Sequence, residues 1–420
     1  MRTAAVRLYG KGDLRLESFE LPPVKDDEIL AKIVSDSICM STYKAAKLGA
    51  DHKRVPNSVA QNPTIIGHEF CGELLEVGAK WKGRFEAGGK FSIQPALNIP
   101  GNVHAAPGYS FPYIGGSATY VVIPSVVTEL GCLLPYNGES FYLGSLAEPM
   151  SCIIGGFHAN YHTTPGSYEH RMGIAHGGKM ALLAGAGPMG LGAIDYALHS
   201  SRRPSLLAVT DIDQARLDRA ASLFTTAEAK KCGVGLVYLK APGADELMKL
   251  SGGTGFDDVF VYAPIASVAE QADSILAFDG CLNFFAGPQD PAFGAKLNYY
   301  NVHYNATHVS GNSGGNTADM LESLEMTAVG KIDPSCMVTH VGGLDAVVGA
   351  TLNLPGIPGG KKLIYNHISM PLTAIADFAG STDPLFDGLA NRMKNGLWTA
   401  DCEKYLLEHG KPLEVPEVAR

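Results

Sequence analysis

Four side chains in the first 150 residues of this 420-residue chain could do metal chemistry. They are Cys39 in SDSICMSTYK, His68 and Glu69 in NPTIIGHEFCG, and Glu148 in SLAEPMSC. A His-Glu pair between the strand-forming Ile65-Ile66 and Phe70-Cys71 is costly to bury unless something satisfies both groups. Catalytic zinc takes about three protein ligands from thiolate, imidazole and carboxylate and keeps one position open. There it polarises a carbonyl or carbinol oxygen as a Lewis acid. No two of the four stand at helical i, i+4 spacing, so the site would be assembled from separate loops and strand ends. Each also has a plainer reading. Cys39 alone reads as a buried apolar thiol, Glu148 before Pro149 as a loop residue, and GHE arises by chance in such a chain about one time in twenty.

A second pattern suits a dinucleotide. LLAGAGPMGLGA sets Gly185, Gly187 and Gly190 after an apolar strand and at the opening of a helix, with Pro188 and Met189 between them. Gly185 permits the tight turn, Gly187 lets backbone approach a pyrophosphate, and Gly190 lets helix and strand pack closely. The helix N-terminus then offers free N–H groups to phosphate. Asp211 ends the next strand 21 residues after Gly190 (211 − 190). A carboxylate there accepts from ribose hydroxyls and repels a 2′-phosphate, which favours NAD over NADP. The plainer reading of Asp211 is a helix cap, a task Asp213 could take instead. Arg216 keeps NADP possible or simply flanks the adenine.

The elements that must position these groups follow from the rhythm of the chain. EILAKIVSDSIC, FCGELLEVG, KFSIQPAL and ATYVVIP are short β-type runs broken by Gly and Pro, which predicts a barrel-like, β-rich domain. From about Gly177, continuous apolar strands (KMALLAGAG, SLLAVTD, GLVYLK, DDVFVYAP) alternate with helical segments (PMGLGAIDYALHS, QARLDRAASLF). That alternation predicts a parallel, doubly wound α/β sheet covered on both faces. The boundaries are 1–155 for the β-rich domain, 156–335 for the nucleotide-binding domain, and 336–420 for a return to the first with a C-terminal extension that ends in a charged helix.

Composition narrows the partners. A formal net charge of −9 argues against nucleic acid. No run of about 18 apolar residues suggests a membrane span, and the N-terminus lacks the apolar core of a leader. Eight scattered cysteines without a CxxC pair read as reduced thiols, so a cytoplasmic enzyme acting on a small molecule is expected.

The order Cys39, Gly67-His68-Glu69, Glu148-Pro149 and Gly185-Ala186-Gly187-Pro188-Met189-Gly190, with KIDPSCMVTHVGGLDAV (331–347) as a return segment, resembles the zinc-dependent medium-chain dehydrogenase/reductase family over nearly the whole chain. Glu148 is similar to the usage of that family's sorbitol dehydrogenase branch. The resemblance implies a GroES-like catalytic domain beside a Rossmann domain, and Cys39 and His68 on one catalytic zinc. Either Glu69 or Glu148 would be the carboxylate ligand, with the other behind it. It implies hydride transfer between NAD(H), or NADP(H), and a polyol or ketose in phosphorylated form, with L-sorbose 1-phosphate and D-glucitol 6-phosphate as the specific pair. A homodimer or homotetramer is implied as well. An unphosphorylated alditol is the alternative substrate. A zinc-free quinone-reductase-like or nucleotide-binding protein is the alternative class.

Three departures from the family matter. Between Cys71 and Cys132 there is no cysteine, so a structural Cys₄ zinc is not expected and packing of Pro, Tyr and Phe must hold that lobe. After Cys39 the chain reads Met40-Ser41-Thr42. Ser41 keeps a hydroxyl for the substrate oxygen and its proton, whereas Thr42 in place of a carboxylate weakens the case for a partner to His68. Lys44 stands where a relay histidine is common. It could relay a proton if its pKa fell, or grip a substrate anion. Within the basic cluster of Lys44, Lys47, His52, Lys53 and Arg54, its distance from Cys39 singles it out for that role. The plainer reading of the cluster is a solvated surface loop.

Overall fold

The computed structural model describes residues 1–414. The chain divides into two compact units, one of Met1–Glu148, Asn316–Val329 and Val338–Arg420, the other of Pro149–Gly315 and Gly330–Met337.

In the first unit the hub is the strand Ile29–Ile38, rich in β-branched residues and buried along almost its whole length. It pairs antiparallel with Phe70–Val77, Tyr120–Ile123 and Lys361–Tyr365 within an eight-stranded sheet. The registers decide what meets at one end. Asp36 faces Phe70 and Ile38 faces Lys362, so the residue after the hub strand, the residues before Phe70, and Lys361 converge. Gly67 makes the turn into this end at φ +90°, and a Cβ there would strike Asp36 and Ser117. Only glycine fits both the angle and the space. Ile29, Ile33, Phe70, Leu74, Phe91 and Val121 form the core on one side of the sheet.

The lobe between Gln94 and Ser117 is held by packing, with Leu97, Tyr109 and Ile114 all buried. The sequence placed 316–329 in the nucleotide-binding stretch. Here the helix Thr317–Ala328 groups with the first unit, because Met320 and Leu324 cluster with Cys71, Leu134 and Tyr136.

The C-terminal helix Ala400–His409 is fixed by Glu403, whose carboxylate accepts from the Phe141 and Tyr142 amides at 2.7 and 2.8 Å and from the Tyr365 hydroxyl at 2.9 Å. Burial pushes this carboxyl up to about 6. Trp398, fully buried, donates to the same Tyr365 oxygen.

The second unit holds a six-stranded, all-parallel sheet in the order Gly235–Lys240, Leu206–Asp211, Lys179–Leu183, Phe256–Val261, Leu276–Phe284, His308–Ser310. This is the doubly wound order, in which the first strand lies between the second and the fourth.

Candidate active site

Cys39 is the N-cap of the helix Met40–Leu48, immediately after the hub strand. His68 and Glu69 precede Phe70–Val77. One ligand atom from each of Cys39, His68 and Glu69 lies within 4.8 Å of the others, the only such group of three metal-binding side chains among the described residues. A thiol, an imidazole and a carboxylate so close together are the donor chemistry of zinc, so the residues fit that ion.

The surroundings orient each donor. Thr42 Oγ1 lies 3.1 Å from His68 Nδ1, which leaves Nε2 turned toward the cluster. Thr42 thus does partner His68, contrary to the sequence expectation, because the helix brings its hydroxyl under the ring. Ser41 Oγ stands 3.1 Å from Cys39 Sγ and 3.2 Å from His68 Nε2, and it accepts from the Tyr109 hydroxyl at 2.8 Å. The same hydroxyl is 3.3 Å from His68 Nε2.

Glu69 is 1 % exposed and is ion-paired by Lys361 and hydrogen-bonded by Ser37. Burial alone would raise its carboxyl. The charges of Lys361 and His68, with the two hydrogen bonds, outweigh that and hold it below its ordinary value. Lys361, itself buried, is correspondingly raised, the Glu69 charge winning over desolvation. Glu148 lies in the first turn of Ala147–Ala159. Burial pushes its carboxyl up to about 7 against the pull of His68. Desolvation lowers His68.

Lys44 lies on the same helix as Ser41, half-buried, and burial lowers its ammonium while the Cys39 thiol works the other way. Lys47 and Lys53 are exposed.

The glycine turn of the second unit is equally specific. A Cβ on Gly185 would meet Leu182 at 2.6 Å, and one on Gly190 would strike the Gly185 backbone. Around Gly187, the N-cap of Pro188–His199, a Cβ would meet nothing within 4 Å. Tight turn, open backbone and close packing thus fall on the three glycines in the order a pyrophosphate turn requires. Pro188 and Met189 form the first helical turn. Asp211 is buried at its strand end and accepts from Ala186 N at 3.3 Å and Asp213 N at 3.0 Å. Asp213 caps the helix Gln214–Leu223 through Ala215 N, so Asp211 is not the cap. Arg216 is exposed and lies 3.6 Å from Asp213.

Sequence reasoning missed Tyr109, Lys361 and Ser37. Only Lys361 left a signal, as a lysine pair opening the apolar run KKLIY. Tyr109, in a Gly-Pro-rich lobe, left none.

A parallel dinucleotide-type sheet in one unit and a thiol–imidazole–carboxylate group in a β-rich unit define the alcohol-dehydrogenase class of oxidoreductase. Residues 25–130 match the alcohol dehydrogenase GroES-like domain. The chain is 52% identical to mannitol-1-phosphate 5-dehydrogenase of Aliivibrio fischeri, over 97% of this chain and 98% of that one. It is 49% identical to L-sorbose 1-phosphate reductase of Klebsiella pneumoniae, over 98% of each. Among solved structures, 2R,3R-butanediol dehydrogenase from Bacillus subtilis is similar with a TM-score of 0.69 at 20% identity, covering 86% of this chain and 99% of that one. The chain belongs to the zinc-dependent medium-chain dehydrogenase/reductase family.

Proposed function

We propose that this enzyme interconverts a ketose phosphate and a polyol phosphate, with L-sorbose 1-phosphate and D-glucitol 6-phosphate as the pair, using one zinc per chain and NAD(H). The observation that carries this reading is the placement of Ser41 Oγ within 3.2 Å of both Cys39 Sγ and His68 Nε2. A proton-bearing hydroxyl thereby stands at the donor group itself.

Cys39, His68 and Glu69 would hold the zinc, with Glu148 as the neighbouring carboxylate. Lys361 and Ser37 occupy only part of the lone-pair capacity of Glu69, since a carboxylate accepts at about four sites. When bound, zinc supplies Lewis-acid polarisation of the substrate oxygen and the nicotinamide supplies the hydride. The chain's own residues do the rest. Ser41 hydrogen-bonds the substrate oxygen and passes its proton, Tyr109 fixes the Ser41 hydroxyl, and Thr42 fixes the His68 ring. Lys44 contributes positive charge toward a substrate anion. Gly185, Gly187 and Gly190, with the first turn at Pro188 and Met189, receive the pyrophosphate, and Asp211 receives the adenosine ribose. Arg216, exposed and beside Asp213, flanks the adenine.

Both relatives quoted above carry phosphorylated six-carbon substrates in their names, which supports a phosphate ester over a free alditol. The test is metal content per chain together with NADH oxidation on L-sorbose 1-phosphate and on L-sorbose, before and after chelation. About one zinc with chelator-sensitive turnover of the phosphate supports the proposal. Chelator-resistant activity in a zinc-free preparation overturns it.

A further inference from the structure

We infer that Arg54, seated over the ring of Tyr109, is the residue that binds the substrate phosphate, and that this phosphate sits on the carbon next to the reacting carbonyl. The inference rests on the proposed phosphate-ester substrate and assigns the end of the molecule that the donor group leaves unaddressed.

Arg54 is only partly exposed, and its guanidinium forms no ion pair or hydrogen bond with a described residue. Its carbon lies 5.1 Å from the Tyr109 ring centre, a cation–π contact. Its backbone is pinned, with the amide 3.3 Å from His52 Nδ1 and the carbonyl accepting from Ser110 Oγ at 2.7 Å. His52 stacks on Tyr109 at 5.8 Å and 11°. The cation is thus held in place by an aromatic ring and by its own backbone, without an acid.

No acid of its own loop pairs with it, and the carboxylates that share its reach to His68 are Glu69 and Glu148 of the donor group itself. The only acid from Gly49 to Asn62 is Asp51, which is ion-paired to Lys11. Burial, with the basic groups Arg54, Lys53, Lys44 and His104 around it, holds the His52 imidazole down at about 4. The Arg54 charge is also felt at His68 and at the Tyr109 hydroxyl. A guanidinium with no ion pair among the described residues, beside the donor group and on a chain of net charge −9, is suited to an anion. A planar guanidinium matches phosphate with two parallel N–H donors, which the lysines cannot do.

The geometry also selects where the phosphate sits. Arg54 lies over the ring of Tyr109, whose hydroxyl reaches Ser41 and His68. Guanidinium and donor group are therefore separated by about one phenol. That span suits a ketone oxygen and a phosphate on the adjoining carbon, as in a ketose 1-phosphate. A phosphate four carbons from the reacting centre, the arrangement named in a mannitol-1-phosphate 5-dehydrogenase, would overshoot it.

The test measures kcat/KM with saturating NADH, which carries no 2′-phosphate, on L-sorbose 1-phosphate, L-sorbose and D-fructose 6-phosphate. The readout is the preference ratio of phosphate over free sugar. Arg54→Gln should lower that ratio roughly 10- to 100-fold, the worth of a charge-assisted hydrogen-bond pair, mainly through KM. Arg54→Lys should recover part of it, and inorganic phosphate should compete with substrate in the wild type but not in Arg54→Gln. An unchanged ratio in Arg54→Gln, or a wild type that prefers D-fructose 6-phosphate, overturns the inference. Should Arg54→Gln fail to fold, Arg54→Lys decides, because equal losses on both sugars would mean that the side chain only packs on Tyr109. A wild type with no turnover of any phosphate ester would sink the proposed substrate class instead, a result distinct from these.

Discussion

The glycine turn at 185–190 and the cluster of Cys39, His68 and Glu69 prepare for their ligands in opposite ways. The turn works by removing side chains. Its three glycines lie within six residues, and its donors are backbone amides at a helix start. The cluster works by accumulating side chains whose charges must be balanced in a buried place. Its supports come from Ser37 on the hub strand, Thr42 on the helix after it, Tyr109 in the lobe and Lys361 on a strand far along the chain, gathered by tertiary folding. The first design tolerates isolation, because one supersecondary unit contains it. The second depends on several strands being correctly paired before any group is satisfied.

Breaking the cluster should cost most. His68→Ala should abolish metal retention and lower turnover by roughly three orders of magnitude or more, read by elemental analysis and NADH oxidation. NADH affinity, measured by fluorescence, should survive. If it collapsed too, the two regions would not be separable as argued.

Lys361→Met comes next. It strands the buried Glu69 carboxylate without its cation, and about 3–5 kcal/mol of stability should be lost, read by denaturant unfolding at pH 7. A neutral result would mean that Glu69 is charged without needing Lys361.

The reciprocal break lies in the turn. Gly190→Val drives a side chain into the Gly185 backbone and should cost about 3 kcal/mol, the upper range for overpacking, while weakening NADH binding. Metal content should be unaffected. Loss of zinc in this variant would contradict the independence of the two designs.

Glu403 sharpens the contrast from outside both sites, as a buried carboxylate with only uncharged hydrogen-bond donors. Its carboxyl titrates near 6 in the folded chain against an ordinary 4.5, so the folded state holds its proton more tightly. Its contribution therefore favours folding at acid pH and falls as pH rises from about 4.5 to 6, by on the order of 2 kcal/mol. Glu403→Gln should flatten that segment of the stability–pH curve, measured by thermal melts across the window. An unaltered slope would refute the assignment.

The two designs also explain what could be read from the chain. The parallel sheet was legible because KMALLAGAG and SLLAVTD are continuous apolar runs that alternate with helices, and Gly185, Gly187 and Gly190 form a local pattern. In the cluster, Cys39, His68 and Glu69 stood out as types of side chain that need a partner. Their supports did not. Thr42 looked like a loss because a hydroxyl is a weaker signal than a carboxylate, yet helix geometry places it on His68 Nδ1. Tyr109 and Lys361 reach the site only through tertiary folding, and neither has a spacing that betrays it. The helix Thr317–Ala328 was assigned by its position in the chain, whereas its apolar face chose the other unit.

Lys361 follows Glu69 by 292 residues. At roughly 5–20 residues per second, the ribosome needs about 15–60 s to supply the second after the first. Throughout that interval the nascent β-rich unit has its acid but not its counter-charge, and its hub strand lacks the neighbour at Lys361–Tyr365. The catalytic unit therefore cannot close during synthesis from its N-terminal segment alone. The glycine-turn unit, continuous from Pro149 to Gly315 and completed by Gly330–Met337, is fully supplied before Lys361 emerges and is free to fold while its companion still waits for that lysine.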